Sequence, residues 1–207
     1  MALRKYATLA LATIAVSFAA QQSFAEPVVD QPAPQFVAKA ADGSSIDLAA
    51  LRGKTVVLEW TNHECPFVVK HYDKSENIPD LQKEATAKGV VWLQVISSAP
   101  GNQGYVEGPT AIEVNKVRGS KPTNTILDPE GKLGHLYGAQ TSPHFFIIDP
   151  KGTLVYKGGI DSIASTKEDD IPKATNYVRE ALTAVSTGKK VPNPSTKPYG
   201  CSIKYAS

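Results

Sequence analysis

Two runs constrain this chain more than anything else in it. Thr55 to Trp60 and Val90 to Ser97 are almost continuously apolar or β-branched, with little alternation. A strand that alternates has one wet face, whereas a strand that does not is covered on both. Such strands belong in the middle of a sheet, and the segments around them must supply the covering layers. Pro66 to Lys88 reads as helix, kinked or restarted near Asn77-Ile78-Pro79, because an interior proline removes a donor and crowds the preceding turn. Thr110 to Arg118 reads as a short helix, Thr125 to Leu127 as a short strand, and Gln35 to Ala40 as a strand ending at the Asp42-Gly43 turn. His144 to Asp149 and Thr153 to Lys157 flank Pro150-Lys151-Gly152, a hairpin connection. Ile171 to Ser186 closes the pattern with a helix whose apolar face uses Tyr177, Val178, Ala181, Leu182 and Val185. Strands alternating with helices, then a hairpin and a last helix, predict an α/β fold with a central mixed β-sheet flanked by helices.

The first 25 residues read as a signal peptide rather than as part of that fold. Arg4 and Lys5 form a positive start, Ala7 to Ala20 is nearly all apolar, and Ser23-Phe24-Ala25 offers small residues where a signal peptidase cuts. The apolar stretch is short for a span, which needs about 20 residues. The expectation is therefore a periplasmic or secreted protein, with no membrane attachment once the signal is cleaved. The whole chain has 22 basic and 20 acidic residues, and removing Arg4 and Lys5 leaves the two in balance. Nothing in that balance resembles a basic nucleic-acid face, so nucleic acid is not expected as a partner. Residues 26–188 have the length of one domain, and residues 189–207 form a proline-bearing tail (Pro192, Pro194, Pro198) that carries Cys201.

The chain has only two cysteines, Cys65 and Cys201. Cys65 stands where the first buried run ends and the first helix begins. There, unpaired backbone N–H groups and the positive end of the helix dipole favour a thiolate over a thiol. Pro66 suits the first helical position, because its missing N–H has no partner to lose. In an oxidising compartment two cysteines can pair, cycle or bind metal.

Several motifs then fall in order. Gln31-Pro32-Ala33-Pro34-Gln35-Phe36 precedes Asp42-Gly43 and Leu51-Arg52-Gly53-Lys54, which runs into the first buried strand. Cys65-Pro66 follows it, and Thr141-Ser142-Pro143 precedes Phe145-Phe146-Ile147-Ile148-Asp149-Pro150-Lys151-Gly152. This order resembles the thioredoxin fold, specifically the redoxin branch that includes the alkyl hydroperoxide reductase/thiol-specific antioxidant (peroxiredoxin-like) family. The resemblance covers Gln31 to Ser186, with an N-terminal redoxin extension before the thioredoxin-like core. The ending Gly200-Cys201-Ser202-Ile203-Lys204 is similar to the Gly-Cys-x-Ile-Lys tail of peroxiredoxin-like members. The resemblance implies a cis Ser142–Pro143 bond facing Cys65. It also brings departures. Thioredoxins proper use Cys-x-x-Cys, whereas Thr61-Asn62-His63-Glu64-Cys65 has no second cysteine nearby. Peroxiredoxins place Pro and Thr seven and three residues before the reactive cysteine, where this chain has Leu58 and Asn62.

Three readings follow. In the first, Cys65 attacks a peroxide or a disulfide, and Cys201 resolves the product from the same chain or across a homodimer, with an unidentified thiol as reductant and no cofactor. His63 and Glu59 are candidates for moving protons. Glu59, an acid inside an apolar strand, is expected to have a raised pKa or a buried partner, the alternative being a salt bridge to a lysine at the strand edge. Trp60 resembles the tryptophan that flanks thioredoxin-type active sites, although a strand tryptophan is more often core. In the second, Thr61-x-x-x-Cys65-Pro66 is similar to the Cys-x-x-x-Cys-Pro motif of Sco-type copper chaperones with Thr61 in place of the first cysteine, and Cys65 with His63 and a distal His135 or His144 supplies a mixed S/N copper or zinc site. In the third, Cys65 and Cys201 form a structural disulfide, contributing roughly 4–5 kcal/mol on the chain-entropy model. Lys70 and His71 are expected to face solvent, and Tyr199 and Tyr205 to dock the tail by packing.

Overall fold

The computed structural model describes residues 26–206. The signal-peptide expectation falls on residues 1–25 and lies outside the described residues. Within them, no helix is long and apolar enough to cross a membrane.

The two buried runs are the centre of the sheet. The first is β3 (Val56–Trp60) and the second β4 (Val91–Ile96), paired in parallel. Outside β4 lies β5 (Asn124–Leu127), again parallel. On the other side β3 meets β7 (His144–Ile148) antiparallel, and β7 forms the expected hairpin with β8 (Leu154–Gly158). The order is therefore β5-β4-β3-β7-β8, a mixed five-stranded sheet. A separate small hairpin joins β1 (Val37–Lys39) and β2 (Ser45–Asp47).

Alternation along β3 divides its side chains between two cores. Val56, Leu58 and Trp60 enter a cluster with Phe36, Leu48, Leu133, Tyr137 and Phe146. Val57 enters the other, with Cys65, Val68, Tyr72, Ile78, Leu81, Trp92, Phe145, Val178 and Ala181. Each such apolar side chain taken fully from water contributes roughly 1.5–3 kcal/mol, which is why neither face of β3 tolerates a polar run.

The helix expected over Pro66 to Lys88 is two helices, α1 (Pro66–Tyr72) and α2 (Asn77–Ala87), restarted at the Asn77-Ile78-Pro79 signal. The short helix is α3 (Gly108–Val117). The last helix starts later than the Ile171 predicted. Glu168–Lys173 is a 3₁₀ turn containing Pro172, and α5 (Tyr177–Ser186) begins only after Asn176, whose side chain accepts from the Arg179 N–H at 2.9 Å. That cap satisfies a first-turn donor, so it wins over the apolar periodicity upstream of it. Besides β2, elements near the tail had no counterpart in the sequence expectations. One is α4 (Lys132–Tyr137), bracketed by Gly131 and Gly138, both left-handed at φ 70° and 61°. The other is a two-residue ladder between β6 (Thr141–Ser142) and β9 (Cys201–Ser202), through which the tail rejoins the domain.

Candidate active site

Cys65 is the N-cap of α1, with Pro66 at the first helical position. Its carbonyl accepts from the N–H groups of Val68 and Val69 at 2.9 and 2.8 Å, and its own N–H donates to Asn62 at 3.0 Å. The thiol is completely buried and donates to the Ser142 carbonyl at 3.1 Å. The Ser142–Pro143 peptide is cis.

The tail comes to this spot. In the β6–β9 ladder Ser142 is opposite Cys201 and Thr141 opposite Ser202. Both cysteines thus meet at Ser142, which makes the two thiols neighbours. Burial, and then the Cys65 neighbour, push the Cys201 thiol up to about 11. Cys201 is half-buried, so of the two sulfurs it is the one with a path to solvent. Gly200 makes the approach feasible: at φ 148° it sits where a Cβ would be 2.0 Å from the Ser142 oxygen. No side chain fits there, and the tail backbone lies flat on the strand before Pro143.

Around the pair the tail is fixed at several points. The Thr196 N–H donates to Lys157 at 3.0 Å and the Ile203 N–H to Gln140 at 3.1 Å. The Tyr205 ring stacks on His135 with centroids 4.1 Å apart, and its hydroxyl donates to Ala139 at 2.8 Å. Tyr199 and Tyr205 thus dock the tail as expected, but through hydrogen bonds as well as packing.

Other expectations are resolved or corrected. Glu59 has the buried partners and raised pKa expected of an acid in an apolar strand, and not the alternative lysine. It is wholly buried and accepts from the Tyr72 hydroxyl at 2.6 Å, Trp92 Nε1 at 2.7 Å and Gln82 Nε2 at 3.1 Å. Burial is the largest influence and carries its pKa up to about 7, while the three donors hold it back. Tyr72 and Gln82 extend this network to Gln94 and Ser120. Trp60 does not flank the thiols. Its indole packs on Tyr137 and Phe146 in the opposite core and donates to Ser97 at 3.0 Å. Asn62, at the family's usual threonine position, is occupied elsewhere. Its Oδ1 accepts from the Glu64 N–H at 2.9 Å, its Nδ2 donates to Gln103 at 3.3 Å, and Gly104 has no room for a side chain against it. Thr61 is buried and its N–H joins Val95 at 3.0 Å. His63 is held in its loop through its carbonyl, which accepts from Arg118 at 2.5 Å, and partial burial lowers its pKa.

Neither distal histidine joins Cys65 and His63 in a metal set. His135 is taken up by Tyr205, and His144 lies against Phe146 on the Trp60 side of the sheet, its Nδ1 accepting from the Gln140 N–H at 3.3 Å. Among the described residues no three His, Cys, Asp or Glu side chains group as metal ligands. Lys70 and His71, expected in solvent, are both fully buried beside Asp161 and Tyr199. A signal for His71 existed: Val68, His71 and Tyr72 share one helical face, so the burial of the first and last includes the histidine. Asp161 carried no local signal at all.

Residues 29–157 match the AhpC/TSA family. The chain belongs to the AhpC/TSA family. It is thereby a thioredoxin-fold redoxin, and its class of chemistry is thiol-dependent oxidoreduction. Among solved structures, this AhpC/TSA protein is similar to a hypothetical protein from Sinorhizobium meliloti, at 22% identity and a TM-score of 0.72, covering 88% of this chain and 97% of that one. It is also similar to an uncharacterized conserved protein from Geobacillus kaustophilus, at 23% identity and a TM-score of 0.71, covering 89% and 94%. A putative thiol:disulfide interchange protein DsbE from Chlorobium tepidum aligns at 20% identity and a TM-score of 0.51, covering 64% and 85%. No curated protein matches the chain.

Proposed function

We propose that this protein is an exported thiol:disulfide oxidoreductase whose redox couple is Cys65 and Cys201 of one chain. The observation that carries the reading is the contact of the two thiols over Ser142, brought about by the β6–β9 ladder. A structural bridge and a cycling pair share that contact, and the exposure of one sulfur favours cycling. With the Cys201 thiol held protonated near neutral pH, Cys65 is the first nucleophile. When the reduced tail moves aside, the Cys65 thiolate attacks one sulfur of a client disulfide, forming a mixed disulfide and expelling the client's other sulfur as a thiolate. Cys201 then loses its proton to solvent or to that thiolate and attacks Cys65. The client leaves fully reduced, and a Cys65–Cys201 disulfide remains.

Recycling reverses the direction with an external dithiol. Cys65 is enclosed, so the incoming thiolate reaches the Cys201 sulfur and Cys65 departs as the leaving thiolate. The reductant's second thiol then closes on its own mixed disulfide and frees Cys201. A disulfide client is favoured over a peroxide by Asn62, whose carboxamide is spent on Glu64 and Gln103. The leader-like residues 1–25 support work outside the cytoplasm, where such exchange is needed.

The test is equilibration of the mature protein in glutathione redox buffers, acid quenching and peptide mapping. The expected result is a Cys65–Cys201 disulfide with a midpoint above about −300 mV, the range of bridges that cycle. It is abolished by Cys65→Ser or Cys201→Ser, and the earliest glutathione adduct on the oxidised protein falls on Cys201. A midpoint far below that value makes the bridge structural. Oxidation by hydrogen peroxide much faster than by glutathione disulfide would move the assignment to a peroxidase.

A further inference from the structure

Two residues before Cys201, the Tyr199 side chain enters a polar cluster that the redox pair does not use. Its hydroxyl donates to Asp161 Oδ1 at 2.6 Å. His71 Nδ1 accepts from Asn77 Nδ2 at 2.8 Å, which leaves the proton on Nε2, and Nε2 lies 3.3 Å from the Tyr199 oxygen. The phenol ring meets Phe67 edge-on at 5.8 Å, and Lys70 Nζ stands 5.9 Å from the ring centroid. Lys70 and Asp161 are themselves incompletely satisfied. Their side chains are 0% and 2% exposed, yet Nζ and Oδ2 are 3.9 Å apart and neither atom has a hydrogen-bond partner. Buried charges left this loosely paired depend strongly on whatever else caps them. Here Asp161 Oδ1 accepts from the Ile163 N–H at 3.0 Å and from the tail's Tyr199 hydroxyl, the one cap that can leave with the tail.

The cluster also has a telling position. Phe67, Lys70 and His71 are on α1, the helix that Cys65 opens, and Asp161 follows β8. Tyr199 therefore joins the nucleophile's helix, the end of the sheet and the tail, with only Gly200 between it and the second cysteine. We infer that Lys70, His71 and Asp161 form a receptor for the Tyr199 phenol, and that Tyr199 and Asp161 are positioning residues that hold Cys201 over Cys65 and set how often Cys65 is uncovered. This rests on the thiol-couple reading, but its assay does not. With Tyr199 seated, Cys65 is covered; once it leaves, the segment carrying Cys201 is held only from the Ile203 and Tyr205 side, and the sulfur opens more often.

The experiment measures opening alone. In a Cys201→Ser background Cys65 is the sole thiol, and its alkylation by iodoacetamide is followed by intact mass. Tyr199→Phe keeps the ring and removes only the hydroxyl. It is expected to speed alkylation roughly tenfold to a hundredfold, the loss of one hydrogen bond to a charged acceptor. Asp161→Asn is expected to act in the same direction, and the double variant to fall well short of the product of the two singles, because the Tyr199–Asp161 hydrogen bond is common to both. The rate should rise only shallowly with added urea, the mark of a local opening; a steep rise would mean that the variants merely unfold the domain and would overturn the assignment. So would a Tyr199→Phe rate within twofold of its parent, or additive effects in the double variant. If alkylation behaves as expected while no Cys65–Cys201 disulfide forms in glutathione buffers, the latch stands and the redox reading falls.

Discussion

Glu59→Leu is expected to be the most destabilising single substitution in the site region, lowering unfolding free energy by about 2–6 kcal/mol at pH 6. The leucine fits an apolar strand but strands two buried donors, the Tyr72 hydroxyl and the Trp92 indole N–H, each of which loses its acceptor. An unpartnered buried donor costs roughly 1–3 kcal/mol. Gln82 Nε2 suffers less, since it also bonds to the Tyr72 oxygen at 2.9 Å. Glu59→Gln should cost less than Leu because one acceptor oxygen survives. It should also remove a pH dependence. The folded-state pKa of about 7 lies above the ordinary 4.5, so the folded protein binds the extra proton. The resulting stability is fully present below pH 4.5 and is lost as pH rises through 7, on the order of 3 kcal/mol in all. Urea denaturation of both variants from pH 5 to 8 checks this. If Glu59→Leu unfolds like the parent, the network is not structural.

Acid should act oppositely through two histidines. Burial, reinforced by Lys70, takes His71 down to about 3, and burial reinforced by Lys157 does the same for His144. A histidine depressed below its ordinary 6.5 contributes stability that is present above pH 6.5 and lost as pH falls toward the folded value. Between pH 6.5 and 4 the two together withdraw on the order of 6 kcal/mol, and Glu59 returns about half of that. The protein is therefore expected to lose roughly 3 kcal/mol over this interval, with a steeper fall below pH 4.5 where Glu59 no longer offsets it. His144→Gln, which removes one of the two titrations without touching the thiol pair, should make the profile distinctly shallower. A parent whose urea midpoint is flat from pH 6.5 to 4 would show that these rings are hydrated.

The elements most readable from sequence were those whose environment leaves no choice of composition. β3 and β4 lie within one residue of the runs Thr55 to Trp60 and Val90 to Ser97, because strands covered on both faces must be apolar throughout. The Cys65–Pro66 helix start was equally plain, since proline is at home there and few other signals imitate it. Short elements defined by backbone conformation were not readable: α4 spans six residues between two left-handed glycines, too few for periodicity to register. Charge misled in the case of Lys70, because burial of a lysine depends on Asp161 and Tyr199, distant in sequence and met only in the folded chain. The partnership of Cys65 with Cys201 came from counting and resemblance. Its register, set by Ser142 and by the space that only Gly200 leaves, is a tertiary fact.

The two tryptophans divide an optical task between them. Trp60 is bonded to a serine hydroxyl and Trp92 to the Glu59 carboxyl, and neither indole N–H is bonded to sulfur. Intrinsic emission is then a gauge of protonation inside the network: a reversible transition near pH 7, carried by Trp92 and its bond to the Glu59 carboxyl. A redox titration followed by fluorescence must therefore be run at one fixed pH, because the Glu59 proton moves the same signal.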